Sequence, residues 1–128
     1  AITAGATFEA RVYSGDVPRL TELIIKANQH QGFAVLQILQ PCVTFNKEYS
    51  HIFFQENIYQ LDNNYNPQDK QAAFAKSLEW GIERIPVGIL YQVSEPTYEE
   101  QMPQIKDKPL IGMPVKKRNI NELLQSFR

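Results

Sequence analysis

The pattern of apolar and polar positions predicts a strand, a helix and a second strand in the first third of the chain. The segment Thr7–Tyr13 has strand character and ends at the turn sequence Ser14–Asp16. Asp16 can cap a helix that carries Pro18 in its first turn. The apolar face of this helix, with spacings typical of an α-helix, consists of Leu20, Leu23, Ile24 and Ala27. The apolar run Phe33–Leu39 predicts a parallel strand covered on both faces, which makes the three elements a right-handed βαβ unit.

Two further helices and a third strand are predicted in the middle of the chain. The first helix is predicted from apolar residues at helical spacing, namely Phe54, Ile58 and Leu61. The second helix is expected to begin at Asn66 and Pro67 and to turn Phe74 and Leu78 inward. The segment Ile85–Tyr91 predicts the third strand. The sequence therefore predicts an α/β fold with a mostly parallel sheet and flanking helices.

The end of the chain has a different composition. It contains Pro96, Pro103, Pro109 and Pro114. Prolines at these intervals exclude long regular structure. Asn119 and Glu122 form a cap-like pair before a short terminal helix. We expect a single domain over the whole chain, with an α/β core over about residues 1–93 and a proline-rich tail with the terminal helix over residues 94–128.

The composition is that of a globular domain with balanced charge. The 128 residues include 13 Lys and Arg against 14 Asp and Glu, a formal charge of -1, and 43% are hydrophobic. This balance gives no reason to expect nucleic acid or an anionic membrane as a partner. The uninterrupted apolar runs, such as Phe33–Leu36, are far shorter than the roughly 20 residues of a membrane-spanning helix. We expect a cytoplasmic protein. The chain begins at Ala1 without a methionine, and we expect a processed or truncated polypeptide.

Several residues with charged or aromatic side chains are expected to have structural roles. His30 and His51 lie in unrelated segments, and His30 falls in the last turn of a helix, where the dipole favours a cation. Asp62 and Asp69 flank a polar loop that they are expected to cap and solvate. The run Lys116–Arg118 is expected to be a solvated face. Four aromatic residues are expected to lie in the core or an interface: Phe45, Tyr49, Phe53 and Phe54.

Cys42 is the one position at which several functions compete. It is the only cysteine, which excludes an internal disulfide and a metal site with several thiolates from this chain alone. It follows Pro41 at the carboxyl end of a predicted strand, and ligands of open α/β sheets bind at that edge. It can be a small buried side chain or a ligand of a soft metal or cluster. A third alternative, a reactive thiol, has no adjacent basic residue or resolving cysteine to support it.

The residues around Cys42 resemble those of a known family. Gln31–Ala34, leading into Leu39–Lys47, are similar to the β subunit of 2-oxoacid:ferredoxin oxidoreductases, which include the pyruvate and 2-oxoglutarate enzymes. The string Gln40–Asn46 is quite specific, and the resemblance extends over almost the whole chain. The other matching segments are Ala4–Phe8, Ser14–Asp16, Ala73–Phe74, Leu78–Gly81, Arg84–Gly88 and Pro96–Glu100.

This resemblance implies a thiamine-diphosphate-binding α/β fold and an oxidative decarboxylation. The complete enzyme would convert a 2-oxoacid, pyruvate or 2-oxoglutarate, to acyl-CoA with coenzyme A, and would pass electrons to ferredoxin. Its cofactors would be thiamine diphosphate, Mg²⁺ and, in members with shorter subunits, one 4Fe-4S cluster. Its partner would be an α subunit or a fused α/γ subunit. Cys42 corresponds to the fourth cluster cysteine and is therefore the expected metal ligand.

The family's other cofactor ligands are expected to precede this chain. They are a Gly-Asp-Gly motif with a downstream Asn, which anchors Mg²⁺ and the diphosphate, and the remaining cluster cysteines. We therefore expect no catalytic residue, no further cofactor-binding residue, no bound cofactor and no activity for the isolated chain. The alternative is a non-catalytic α/β fragment or interaction module without activity of its own. The sequence does not choose among pyruvate, 2-oxoglutarate and branched 2-oxoacids.

Overall fold

The computed structural model describes residues 1–81, 84–113 and 120–127, and the chain divides into two compact units. The first unit, Ala1–Tyr98, contains a 3₁₀ helix at Ile2–Ala4, four strands and three helices. The strands are β1 (Phe8–Tyr13), β2 (Ala34–Leu39), β3 (Ile58–Gln60) and β4 (Ile85–Gln92). The helices are α1 (Val17–Gln29), α2 (His51–Asn57) and α3 (Lys70–Leu78). The remaining elements are α4 (Tyr98–Gln101), a 3₁₀ helix at Leu110–Gly112 and α5 (Ile120–Gln125), the last two within the second unit, Glu99–Arg128.

The second unit contains only short helices over its described residues, as its prolines predict. The terminal helix is present as α5. Pro114, Lys116–Arg118 and Asn119 lie outside the described residues. The boundary between core and tail near residue 93 stays a prediction. No helix within the described ranges is long and apolar enough to cross a membrane.

Two βαβ units form the four-stranded sheet, whose strand order is β2-β1-β4-β3. β1 runs parallel to β2, with α1 between them in sequence, and β3 runs parallel to β4, with α3 between them. The two units meet through β1 and β4, which pair antiparallel with a register shift between Glu9 and Ala10. The α/β fold with a mostly parallel sheet is therefore confirmed, while the antiparallel junction is a feature that the sequence pattern did not predict.

β1 lies at the centre of the core, and all six of its residues are buried. Alternate side chains of a strand face opposite sides of the sheet. The side that packs against α1 comprises Phe8, Ala10 and Val12, together with Leu23 of the helix. The other side comprises Glu9, Arg11 and Tyr13. There Tyr13 packs against Phe54 of α2, so this side of β1 buries two charged residues next to an aromatic cluster.

The helix predicted from Phe54, Ile58 and Leu61 ends earlier than expected. α2 ends at Asn57, and Ile58 begins β3, which pairs with β4 from Ile85 onward. The spacing of these apolar residues fits a helix locally. Pairing with β4 instead satisfies the backbone after Asn57, and this partner lies more than twenty residues away in sequence.

α3 begins later than predicted because a second side chain provides the better cap. Asn66 accepts a hydrogen bond from the Gln68 amide at 3.0 Å, which closes a turn rather than a helix. Asp69 accepts hydrogen bonds from two amides of the first helical turn, at 2.9 and 3.0 Å. The helix therefore starts at Lys70, and Asp69 caps this helix in place of Asn66, in addition to flanking the polar loop as expected.

The inward orientation predicted for Phe74 and Leu78 is wrong. Their exposed fractions are 43% and 66%. The side of α3 that packs in the core is marked by Ala73, which is fully buried and clusters with Tyr91 of β4. A small residue at this point lets the helix approach the sheet closely, which leaves the larger neighbours outside the contact.

β2 lies at the edge of the sheet, so the prediction of a strand covered on both faces is wrong within the described part of the chain. Its one neighbour is β1, and Leu39 is the only buried residue of the six. The strand therefore combines the apolar sequence of a central parallel strand with the position of an edge strand. The loop that contains Cys42 accordingly follows an edge strand.

Candidate functional site

Cys42 lies in a turn just beyond the carboxyl end of β2. β1 and β2 are parallel, and Tyr13 pairs with Leu39, so the carboxyl ends of both strands meet at one edge of the sheet. The Asn46 amide donates a hydrogen bond to the carbonyl oxygen of Cys42 at 2.9 Å, which closes the turn. The thiol is exposed and free. A packing role as a small buried side chain is therefore wrong.

Asn46 connects this turn to α2. Its side-chain oxygen accepts hydrogen bonds from the amides of Glu48 and Tyr49, at 3.0 and 3.1 Å. Such bonds from an Asn side chain to following amides stabilise a turn locally. Ser50 then caps α2 by accepting a hydrogen bond from an amide of its first turn. The local sequence thus holds Tyr49 in place between the Cys42 turn and the helix.

The predicted aromatic cluster divides into a packed part and an exposed part. Tyr49 contacts the ring of Phe53 at a centroid distance of 5.0 Å and that of Trp80 at 6.0 Å. Phe45 is 91% exposed and Val43 is 66% exposed, both within the Cys42 turn. The exposed thiol is therefore accompanied by two exposed apolar side chains, which are not part of the core.

Arg11 is buried and hydrogen-bonds to both β2 and the end of α3. The sequence pattern did not predict that this residue is buried. Its exposed fraction is 4%, and its Nε donates to Gln37 of β2 at 2.7 Å. Its terminal nitrogens donate to the carbonyl oxygens of Ser77 and Glu79 at the end of α3, at 3.0 and 3.5 Å. A cation at the carboxyl end of a helix satisfies carbonyl groups that have no partner within the helix.

The guanidinium of Arg11 links the sheet to the Cys42 segment through aromatic rings. It lies 5.8 Å from the ring centroid of Trp80, which in turn contacts Tyr49. Burial lowers the pKa of Arg11, and the charges of Glu9 and Glu79 act in the opposite direction. A guanidinium stays protonated in proteins, so the centre of this network is a buried positive charge.

Glu9 is a second buried charged residue on the same side of β1, and its charge acts on Arg11. Its exposed fraction is 8%, and its Oε2 has no hydrogen-bond partner within the part of the chain that the structure describes. The sequence alone gives no signal for this burial, because charges at alternate positions are also the pattern of a strand with one solvated face. A buried charge of this kind requires a partner.

The two histidines lie at opposite ends of β1, and the structure does not bring either of them together with Cys42 in a shared ligand set. His30 hydrogen-bonds to Thr7 through Nε2 at 2.9 Å, and burial lowers its pKa. His51 hydrogen-bonds to the Tyr13 hydroxyl through Nδ1 at 2.6 Å. Each histidine thus has a protein partner, in line with the structural roles expected for both.

A polar cleft of about 390 Å³ lies at the end of the sheet that is remote from Cys42. Its lining includes Gln29, His30, Gln68 and Gln92. Asp62 lies in the polar loop as expected, where it accepts a hydrogen bond from the Asn64 amide at 2.7 Å. Neither feature adds a side chain to the Cys42 turn.

A surface ion pair joins the end of α3 to β3. Lys76 donates to Glu79 at 2.7 Å and to the Tyr59 hydroxyl at 2.9 Å, and the same hydroxyl donates to Glu79. The hydrogen bond from Lys76, and then that from Tyr59, lower the pKa of Glu79 below its usual range. The hydrogen bond to Glu79 raises the pKa of Lys76.

We expect Glu79→Gln to remove an acid-sensitive part of the chain's stability. Because the folded-state pKa of Glu79 is depressed, its contribution is present above the unfolded-state value of about 4.3 and is lost as the pH falls through the folded-state value. The ion pair is partly exposed, so the loss at pH 7 should be at most about 1 kcal/mol. Urea unfolding from pH 7 to pH 3 should show the wild-type and variant stabilities converging; curves that stay parallel would contradict the prediction.

A comparison of the sequence with models of known protein families gives a match that begins at Cys42. The family model that describes the C-terminal region of the pyruvate ferredoxin oxidoreductase β subunit matches residues 42–107. The chain belongs to this family. The matched range contains the Cys42 turn, β3, β4 and the helices α2 and α3.

Curated relatives and a solved structure agree with this membership. The chain is 41% identical over 116 residues to the β subunit of 2-oxoacid:ferredoxin oxidoreductase 1 from Aeropyrum pernix, which covers 81% of this chain and 36% of the relative. It is 40% identical over 127 residues to the β subunit of the Saccharolobus solfataricus 2-oxoacid:ferredoxin oxidoreductase, covering 85% and 41%. The chain thus spans about two fifths of the length of these relatives.

The solved structure is a 2-oxoglutarate:ferredoxin oxidoreductase from Magnetococcus marinus with 2-oxoglutarate, coenzyme A and succinyl-CoA bound. It matches with a TM-score of 0.74 and 28% identity, over 99% of this chain and 42% of that chain. The similarity therefore includes the path of the backbone as well as the sequence.

The donor chemistry of this family member fits one ligand of an iron–sulfur cluster. A 4Fe-4S cluster takes four cysteine thiolates, and the chain has one cysteine. Across residues 1–81, 84–113 and 120–127, no group of three or more His, Cys, Asp or Glu could hold a metal ion. The exposed Cys42 thiolate fits one such ligand position, and the chain has no second cysteine.

Proposed function

We propose that this chain is the C-terminal part of the β subunit of an enzyme that oxidatively decarboxylates a 2-oxoacid, pyruvate or 2-oxoglutarate. In this reaction the carboxylate leaves as CO₂, the acyl group passes to the thiol of coenzyme A and two electrons pass to ferredoxin. The observation that carries the proposal is the exposed Cys42 turn at the carboxyl end of two parallel strands, in a chain that belongs to the family. The proposed partners are an α or fused α/γ subunit and ferredoxin.

Thiamine diphosphate with Mg²⁺ would supply a carbanion sink and a 4Fe-4S cluster would carry single electrons when bound in the complete enzyme. Cys42 would bind the cluster with its thiolate. Pro41 is buried and restricts the backbone before the ligand, while the hydrogen bond from Asn46 holds the carbonyl group of Cys42. The exposed side chains of Val43 and Phe45 would keep water from the sulfur atoms and so influence the reduction potential.

The proposed activity is tested with the complete enzyme, assembled from the full β subunit and its partner. We expect reduction of ferredoxin that requires both a 2-oxoacid and coenzyme A, and comparison of pyruvate, 2-oxoglutarate and a branched 2-oxoacid identifies the substrate. If the assembled, cofactor-loaded protein reduced ferredoxin with none of these acids, the chain would be a non-catalytic interaction module instead.

We expect the isolated 128-residue chain to bind neither thiamine diphosphate nor Mg²⁺ in the micromolar range. The reason is that the family's diphosphate-anchoring motif, Gly-Asp-Gly with a downstream Asn, is not part of this sequence, and Mg²⁺ is held mainly by such a motif together with the diphosphate. Isothermal titration calorimetry with the two ligands together should show no saturable heat. Tight, Mg²⁺-dependent binding would mean that this chain contains diphosphate ligands of its own.

A further inference from the structure

The turn that contains Cys42 is held by the sheet at its beginning and by Tyr49 at its end. The amide of Ser14 donates a hydrogen bond to the carbonyl oxygen of Leu39 at 3.0 Å, which fixes the chain where β2 ends. Tyr49 packs against the buried cluster that includes Leu39, and its amide donates to the side chain of Asn46 at 3.1 Å. The Asn46 amide in turn donates to the Cys42 carbonyl. Two hydrogen bonds therefore connect the position of Tyr49 to the backbone at Cys42.

Trp80, which follows the end of α3, contacts the ring of Tyr49 from outside the turn. The two ring centroids are 6.0 Å apart and the ring planes are inclined by 67°. Edge-to-face pairs at such distances are favourable because the positive edge of one ring meets the negative face of the other. The side chain of Trp80 is 47% exposed, so burial alone does not fix its orientation. Its orientation depends on specific contacts, of which that with Tyr49 is one.

The residue before Trp80 and the ring itself are both held by polar groups. The guanidinium of Arg11 lies 5.8 Å from the ring centroid, within the range of a cation–π contact. The same guanidinium donates to the carbonyl oxygen of Glu79 at 3.5 Å. The Glu79 side chain accepts hydrogen bonds from Lys76 and Tyr59. Trp80 is thus fixed through its backbone on one side and through its ring on the other.

We propose that Trp80 is a positioning residue for Cys42, since its ring holds Tyr49 and thereby the hydrogen bonds of Asn46 that close the turn. A cluster ligand needs such support from side chains that do not themselves bind the metal. The need is large in this turn, because the Cys42 thiol is exposed and is not held by core packing. The proposal rests on the proposed function for the role of Cys42 as a ligand, whereas the contacts that connect Trp80 to the turn do not depend on it.

The first test is amide hydrogen exchange in the complete β subunit before a cluster is loaded. Trp80→Ala should speed exchange of the Asn46 amide at least about tenfold, because its bond to Cys42 opens more often, while the amides of β1 stay within about threefold of wild type. Trp80→Phe keeps a ring against Tyr49 and should restore the wild-type rate to within about threefold. The matched control is Phe74→Ala, which removes a ring of similar exposure, 43%, from α3 and should leave the Asn46 rate unchanged.

Two results of this measurement would overturn the proposal. One is an Asn46 rate in Trp80→Ala that stays within about threefold of wild type. The other is a rise that the amides of β1 share to the same extent, because Trp80 would then stabilise the whole fold and not the turn. If Trp80→Ala did not fold, Trp80→Leu would take its place, with the same expected results. It keeps apolar volume at the site and removes only the aromatic ring.

The second test uses the complete enzyme after anaerobic loading of its cofactors. Trp80→Ala should lose iron to a chelator at least about tenfold faster than wild type. The electron paramagnetic resonance lines of its reduced cluster should broaden, because the Cys42 turn takes more than one position, and Trp80→Phe should behave as wild type. Unchanged iron release and an unchanged spectrum in Trp80→Ala would overturn the proposal. A failure of the proposed function is distinct: a cluster retained in Cys42→Ser would refute the ligand assignment, while the Asn46 exchange rates would still decide whether Trp80 holds the turn.

Discussion

Replacing Cys42 with serine in the complete enzyme is expected to abolish assembly of the iron–sulfur cluster and to lower ferredoxin reduction by at least about a hundredfold. A serine hydroxyl is a harder donor and is not deprotonated at neutral pH, so it replaces a soft thiolate poorly. Iron content, visible absorbance and ferredoxin reduction after anaerobic reconstitution measure the effect. Cys42 lies exposed in its turn, so the loss should come from the missing ligand rather than from the fold.

Two controls separate the ligand from the turn that holds it. Thr44→Ser removes one methyl group from the same exposed turn and should retain the cluster. In the isolated chain, Cys42→Ser should change the free energy of unfolding by less than about 0.5 kcal/mol, because the thiol is exposed. If Cys42→Ser kept wild-type iron content and absorbance in the complete enzyme, the assignment of Cys42 as a cluster ligand would be wrong.

The second large effect is expected at Arg11. Arg11→Met keeps a long apolar side chain but removes the hydrogen bonds to Gln37, Ser77 and Glu79. It also removes a positive charge that interacts electrostatically with the buried Glu9. A buried hydrogen-bonding group left without its partner costs about 1–3 kcal/mol, and since the change removes three hydrogen bonds we expect the free energy of unfolding to fall by about 3–5 kcal/mol. Urea denaturation of the chain at pH 7 measures it.

Arg19→Met is the matched control for this prediction. Arg19 forms an ion pair with Glu22 at 2.7 Å, but its side chain is 35% exposed, so the loss should be at most about 1 kcal/mol. The double variant Glu9→Gln/Arg11→Met should recover part of the loss, because it no longer buries an unpaired carboxylate. Equal, small losses for Arg11→Met and Arg19→Met would show that the buried network contributes little to stability.

Local features of the sequence determined the elements whose ends and faces depend on near neighbours. Asp16 caps α1 by accepting a hydrogen bond from the Arg19 amide at 3.2 Å, as its position before Pro18 predicts. The strands β1, β2 and β4 lie within one residue of the predicted segments, and β1 ends just before the turn residues Ser14–Asp16. The resemblance around Cys42 likewise depends on a short continuous string. Caps, turns and side-chain periodicity act over a few residues, so the sequence contains the whole signal.

Only the tertiary structure decided which segments pair and which charges are buried. Ile58 has apolar neighbours at helical spacing, but β4 makes it a strand residue. Arginine is a residue type that usually lies at the surface. Arg11 is nevertheless buried, because Gln37 and the carbonyl groups at the end of α3 accept its hydrogen bonds. The position of β2 at an edge depends equally on what lies beside it. These outcomes are set by partners distant in sequence, because backbone pairing and charge burial are satisfied in space and not along the chain.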